Sequence, residues 1–416
     1  MKKTKKIISL LLIVGLMIST LVACGNNEEN SSQNSGETSS ESSSGETSSE
    51  SNSEDSDVIK IGGIAPLTGG VAVYGVAADN GVKLAVKEIN ANGGILGKQI
   101  EYISYDDKGD TTEAVNAYKK LTSNDEVDAI IGAVTSKPTL AVTPLAAKDK
   151  IPMISPTATA LDVTQAGDNI FRACFIDPYQ GEVMAKFAVE ELNVSKVAIL
   201  YNTADDYSTG VAEAFKEAVE RSGVEVVNFE GYNGDDKDFK AILTNVKSQN
   251  PEAVFIPDYY KNLGTILPQA KELGITATFL GADGWDGVLT VAPEAAEGAY
   301  FCSHYSPEDE SEEVQNFLKM YKEEYGEDPV SFAALGYDAM KILAAAIEKA
   351  GSTDKEAVIE ALAETNITSV TGNITFDENR NPIKDAAIIK IEGGKNTLFT
   401  KVSLKEDLVQ EEEGEK

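Results

Sequence analysis

The sequence predicts an α/β protein of two lobes, each a parallel-rich sheet flanked by helices. Three observations point there. Short, near-continuous apolar runs alternate with amphipathic helical patterns, as expected for strands buried on both faces and joined through helices. The stretch from about Asp57 to Leu404 is longer than one hydrophobic core usually supports. After Pro307 the character shifts to helices and then to runs that read as late antiparallel strands.

The first residues stand apart from that pattern. "MKKTKKIISLLLIVGLMISTLVACG" opens with Lys2, Lys3, Lys5 and Lys6, runs through an apolar stretch from Ile7 to Ile18, and ends in small residues before Cys24. That is the layout of a secretory signal over residues 1–23, and its apolar run is shorter than the roughly 20 residues needed to span a bilayer. "LVAC" is similar to the lipobox of bacterial lipoproteins, which implies that Cys24 carries diacylglycerol and anchors the chain to the outer face of the bacterial cell membrane. Residues 25–57 repeat "SGETSSES" and hold no aromatic residue, lysine or arginine, so residues 24–57 read as a lipidated cysteine and a disordered tether. Fully extended at about 3.3 Å per residue, the tether reaches roughly 100 Å.

The formal charge of the whole chain is −32. Without the four leader lysines and the nine acidic residues of the tether, residues 58–416 carry −27. So acidic a surface argues against nucleic acid or anionic lipid as partners. Only Cys174 and Cys302 remain after lipidation, which is no disulfide framework, and the single histidine, His304, leaves no His/Cys cluster for a metal. His304 reads as a structural or surface residue. No cofactor and no metal are expected.

In the folded part the strand-like runs are, in order, "VIKIGGI", "QIEYISY", "VDAIIGAV", "IPMISP", "NIFRACF", "KVAILYN", "VEVVNFEGY", "EAVFIPD", "ATFLGAD" and "GAYFCSHYS". Between them lie patterns such as "TGVAEAFKEAVERSG", where Val211, Phe215, Ala218 and Val219 recur at helical spacing before Gly223. "SEEVQNFLKMYKEEYG" and "SFAALGYDAMKILAAAIEKAG" follow as helices, and "NITFD", "AAIIKIEGG" and "NTLFTKVSL" as strands.

In open parallel sheets ligands bind beyond the carboxyl ends of the strands, so the strand-end loops carry the functional reading. They present Ser136 and its neighbour Thr135 before a helix, Thr157 and Thr159, Tyr207, Tyr259 and Tyr260, and Asp283. Hydroxyls at a helix start bind an anion without a cationic side chain. The parts for chemistry are missing. There is no G-x-S-x-G elbow, and "NGGILGKQ" falls one residue short of a phosphate loop and has Gln99 after Lys98. Asp283 and Asp286 sit three apart on one glycine-rich loop, poorly placed to straddle a glycosidic bond, and Asp286 reads as a turn or helix-cap residue. A zwitterion such as an α-amino acid matches the set, with hydroxyls for its carboxylate and Asp283 for its ammonium, since either charge buried alone is costly.

Taken in order, "IKIGGIAPLTGGVAVYG", "AVKEINANGGILGKQIE", "IPMISPTATALDVTQAGDNIFRACFIDPYQG", "DDYSTGVAEAF" and "FLGADGWDG" resemble the substrate-binding proteins of branched-chain amino acid ABC transporters, the leucine/isoleucine/valine-binding family with its type I periplasmic binding protein fold. The resemblance covers residues 58 to about 404. It implies two lobes joined by a three-strand hinge, residues 58–177 and 306–385 forming the first and 178–305 with 386–416 the second. It implies ligand contacts by Tyr74, Ser136, Thr157 through its carbonyl, Thr159, Tyr207, Tyr259 and Asp283, where relatives often have glutamate. It brings "FRACFIDPYQG" and "GAYFCSHYSP" together as hinge crossings, where a Cys174–Cys302 disulfide is left open and would stiffen the hinge. Lys137 departs from the small hydroxyl residue expected there, as a solvated lysine at a helix start or, if it points inward, as the partner of an extra ligand carboxylate. The implied function is an importer's binding lipoprotein, a monomer serving ABC permease subunits and not an enzyme. A ligand sensor on the same fold is the alternative, and an envelope hydrolase using Asp283 and Asp286 a remote third.

Overall fold

The computed structural model describes residues 58–404. Cys24, with the leader and tether expected around it, and the acidic tail lie outside these residues. Up to Arg172 strand and helix alternate: β1 (Val58–Ala65), α1 (Ala72–Ala91), β2 (Gln99–Asp106), α2 (Thr111–Lys120), β3 (Ala129–Ile131), α3 (Ser136–Asp149), β4 (Met153–Ser155), α4 (Asp162–Gln165) and β5 (Ile170–Arg172). The five strands form one sheet in the order β2-β1-β3-β4-β5, parallel throughout. β3, β4 and β5 are buried along their whole length, as continuous apolar runs require. They are shorter than the apolar patterns because loops claim the run ends. β3 gives way at Gly132, whose φ of +142° favours glycine and where an added Cβ would meet the Ile64 carbonyl oxygen at 2.5 Å.

The second lobe follows with α5 (Asp177–Glu190), β6 (Lys196–Asn202), α6 (Asp206–Arg221), β7 (Glu225–Tyr232), α7 (Lys240–Gln249), β8 (Ala253–Phe255), α8 (Tyr260–Glu272), β9 (Thr278–Gly281) and β10 (Tyr300–Ser303). In α6 the apolar face Val211, Phe215, Ala218 and Val219 is buried, and Asp205 caps the start by accepting from Ser208 N–H at 3.2 Å. The chain then runs through α9 (Glu312–Tyr325), α10 (Ser331–Ala350), α11 (Lys355–Ala363), a hairpin of β11 (Asn366–Ser369) and β12 (Gly372–Thr375), and finally β13 (Ala386–Glu392) and β14 (Lys395–Val402). α10 packs along α1, returning the chain to the first lobe. The second sheet has the order β14-β13-β10-β9-β8-β6-β7, parallel from β10 to β7 and antiparallel where β13 and β14 join. The chain therefore crosses between sheets after β5, after β10 and before β13.

At that seam Lys384 is buried and donates to the Ala173 carbonyl at 2.7 Å and to Thr371 Oγ1 at 3.0 Å, tying two crossings to the β11–β12 hairpin. Burial pulls its amine down to about 8. Cys174 and Cys302 are both free thiols, and each has its own acceptor: the Ala158 carbonyl at 3.3 Å and Gln180 Oε1 at 3.4 Å. Among the described residues no helix is long and apolar enough to cross a membrane.

Candidate functional site

The first-lobe wall is made at the ends of β3 and β4. Thr135, the residue before α3, is extended and makes no side-chain cap, so no capping side chain claims the free N–H groups of the first helical turn. Ser136 Oγ accepts from Ala160 N–H at 3.2 Å, which leaves its own hydrogen to donate elsewhere. Thr157 Oγ1 donates to the Val134 carbonyl at 2.6 Å, joining the two loops. Arg172, fully buried, braces the second loop by donating to the carbonyls of Ala158, Ala160 and Leu161 at 3.0, 2.9 and 3.1 Å. Between those carbonyls sits Thr159, whose hydroxyl hydrogen-bonds the Asp177 carboxyl at the start of α5. Burial first, with the charge of Asp283 adding, pushes Asp177 well above the usual carboxylate range.

The second-lobe wall is the turn Asp283–Trp285 after β9. Trp285 is wholly buried, and its indole N–H donates to the Ile256 carbonyl at 2.7 Å, which fixes the turn. Asp283 N–H donates to Gln180 Oε1 at 3.0 Å, and Gly284 N–H donates to Tyr207 Oη at 2.9 Å. Tyr74, from α1 of the opposite lobe, donates its hydroxyl to the Gly284 carbonyl and accepts from Tyr260 N–H at 3.0 Å. Nothing larger than glycine fits there, because a Cβ at 284 would lie 2.8 Å from Tyr207 Oη and 2.9 Å from the Asp258 carbonyl oxygen. Asp258, buried, accepts from Tyr232 Oη, Tyr259 N–H and Asn262 Nδ2 at 2.6, 2.6 and 2.8 Å, and so holds the loop that presents Tyr259.

The aromatic rings close the sides. Tyr207 and Tyr259 stack at 5.0 Å and 10°, Tyr74 meets Tyr259 edge-on at 5.8 Å, and Phe332 of α10 stacks on Tyr74 at 4.1 Å. Burial pushes the hydroxyls of Tyr74, Tyr207 and Tyr259 well above their ordinary value, so all three stay neutral.

Tyr74, Tyr207, Tyr259 and Asp283 thus meet around Gly284, and Ser136, Thr157 and Thr159 share the facing loops. Asp177 links the two groups, touching Thr159 and sensing the charge of Asp283. Asp286 is a cap, as its position suggested, but for a helix of the other lobe: its Oδ2 accepts from Ser331 N–H of α10 at 2.5 Å. Lys137 is exposed, and its amine reaches across the cleft to the Ala204 carbonyl at 3.0 Å. It borders a cavity of about 260 Å³ at the cleft mouth, lined also by Thr135, Asn202, Asp205, Tyr259 and Lys261.

Of the two readings of His304, structural or surface, the structure rules out the surface one: its Nε2 lies 3.1 Å from Asp283 Oδ2, with its side chain 0% exposed. No local motif marks it, because its role comes from β10 running beside β9. Phe332 and Gln180 were equally silent in the sequence, each acting on residues far from it in the chain, and Asp258 was silent although it holds the loop next to it.

A model of the family described as "Periplasmic binding protein" matches residues 58–396, nearly all of the described chain. The chain belongs to that family. Among relatives of this periplasmic binding protein, a leucine-, isoleucine-, valine-, threonine- and alanine-binding protein from Pseudomonas aeruginosa is 34% identical over 350 residues, covering 83% of this chain and 93% of the relative. Two solved structures are similar over most of their length. A leucine-binding protein from Thermotoga maritima is 35% identical with a TM-score of 0.80, covering 84% of this chain and 99% of its own. A branched-chain amino acid transporter substrate-binding protein from Streptococcus pneumoniae, in complex with isoleucine, is 36% identical with a TM-score of 0.78, covering 83% and 98%. All three are named as binding proteins.

Proposed function

We propose that this periplasmic binding protein is the extracytoplasmic receptor of an ABC importer for a branched-chain amino acid, leucine, isoleucine or valine. In this reading it is a monomer, held at the membrane through lipidated Cys24, that closes its lobes on the ligand and presents it to the permease subunits. The observation that carries the reading is the pairing of opposite chemistries across the cleft. The uncapped start of α3 with the hydroxyls of Ser136 and Thr159 suits a carboxylate, and buried Asp283 in the facing lobe suits an ammonium. The rings of Tyr74, Tyr207 and Tyr259 supply apolar walls for an aliphatic side chain. The relatives' own ligands support the same substrate class.

Tyr74 joins ligand to closure, because its hydroxyl bridges two backbone groups of the second lobe only when the lobes meet. A ligand that adds contacts to both walls favours that closed state over an open one. The test is thermal unfolding of a soluble form beginning at Asp57, screened against L-amino acids, amides and short peptides. Leucine, isoleucine or valine at about 100 times its dissociation constant adds about 2.7 kcal/mol and raises the melting temperature. A shift with amides or peptides and with no α-amino acid would overturn the reading.

A further inference from the structure

We propose that His304 is a specificity-determining positioning residue: it holds one oxygen of Asp283 and so turns the other toward the ligand's ammonium group. This inference rests on the functional reading above. It starts from an arrangement that packing alone does not explain. His304 Nε2 is 3.1 Å from Asp283 Oδ2, and among the described residues no other side chain hydrogen-bonds that carboxylate. The other ring nitrogen, Nδ1, is buried and has no hydrogen-bond partner among the described residues. A phenylalanine or leucine would fill the same space without stranding a polar atom, so the ring's one polar contact has to account for its presence.

The ring is held from both sides of the hinge. It follows β10 on the second crossing, and it stacks on Phe175 of the first crossing with centroids 3.7 Å apart and planes at 24°. Asp283 is pinned through its backbone by Gln180, so with Oδ2 fixed by His304 the carboxylate has one orientation. With Nδ1 unpartnered, the consistent tautomer is the neutral ring with its proton on Nε2, donating to Asp283. Burial, the largest effect, pulls the imidazole down to about 4, which keeps it neutral at neutral pH.

Neutrality is what makes the partner useful. A lysine or arginine in this place would neutralise Asp283 and compete with the ligand for it. A neutral N–H donor orients the carboxylate and leaves its full charge for the ammonium group. His304 should therefore matter for leucine and not for a ligand of the same shape that lacks the amine.

The experiment compares the wild type with H304F, H304Q and H304N, reading affinity for leucine and for its 2-hydroxy-acid counterpart alongside the melting temperature of each ligand-free variant. H304F is expected to lower leucine affinity at least tenfold while changing hydroxy-acid affinity less than threefold. H304Q, whose amide N–H falls near the Nε2 position, restores most of the leucine affinity, and H304N, whose donor falls on the unpartnered Nδ1 side, does not. Because His304 is the chain's only histidine, ring ¹⁵N resonances of the wild type give a second measurement that needs no variant. The proton is expected on Nε2, with a shift on leucine addition. A proton on Nδ1, or leucine affinity unchanged in a folded H304F, overturns the role of His304 alone. Absence of leucine binding by the wild type overturns the functional reading, and this inference with it.

Discussion

Asp107 shows what one buried carboxyl does to stability. It follows β2 directly with no exposed surface, one oxygen accepting from Gly109 N–H at 2.8 Å and the other without a partner among the described residues. Burial pushes its pKa up to about 7, against an ordinary value of 3.8. The folded state therefore holds the proton more tightly than the unfolded chain, so the stability from the neutral form is complete below about pH 4 and lost as the pH rises through about 7. Urea midpoints of the wild type should fall between pH 5 and pH 8, and D107N should fall less steeply over the same range. Equal slopes would show that Asp107 does not titrate there. No sequence motif marks Asp107, because its burial arises only in the folded chain. Asp283 was legible for the opposite reason: a polar residue closing an apolar strand run is already placed at the sheet's ligand-binding edge.

The turn from Asp283 to Gly287 is the element where these residues combine. Trp285 anchors it, Gly284 lets Tyr74 and Tyr207 approach, and Asp286 caps α10 across the cleft. That cap exists only between closed lobes, so its loss should weaken binding without any contact to the ligand. A capping interaction is worth about 0.5–2 kcal/mol, so D286A should lower leucine affinity by roughly 2- to 30-fold. Titration followed by the fluorescence of Trp285, the only tryptophan, measures it, and unchanged affinity would assign the cap to folding alone. Helices were the most legible elements. α9 and α10 stop at Gly326 and Gly351, both at positive φ, within a residue of the periodic patterns. Strands were read too long, because "VDAIIGAV" and "EAVFIPD" spend their ends on site loops and leave three-residue strands. β11 was not foreseen: "NITS" carries no apolar run, and its hairpin with β12 stands apart from both main sheets.

Across the whole molecule the two sheets are joined by three crossings and held closed by contacts that no single segment encodes: Tyr74 to Gly284 and Tyr260, Lys137 to Ala204, and Asp286 to Ser331. The α/β alternation and the two-lobe architecture were readable from hydrophobic pattern and length. The resemblance placed two of the hinge crossings, but the buried lysine that ties the seam was not marked, since Lys384, Ala173 and Thr371 meet there from segments up to 211 residues apart. His304 was missed for the same reason. If Asp283 holds the ammonium group of an amino acid, calorimetric titration of leucine, isoleucine and valine into the wild type and D283N will show it. Asparagine keeps the size, and with its oxygen accepting from His304 its amide nitrogen faces the ligand, so both the charge and the acceptor for the ammonium are removed. Leaving a buried charge unpaired costs about 3–5 kcal/mol, so binding to the wild type and a loss of at least about a hundredfold in D283N are predicted. Equal affinity in the two proteins would contradict the account.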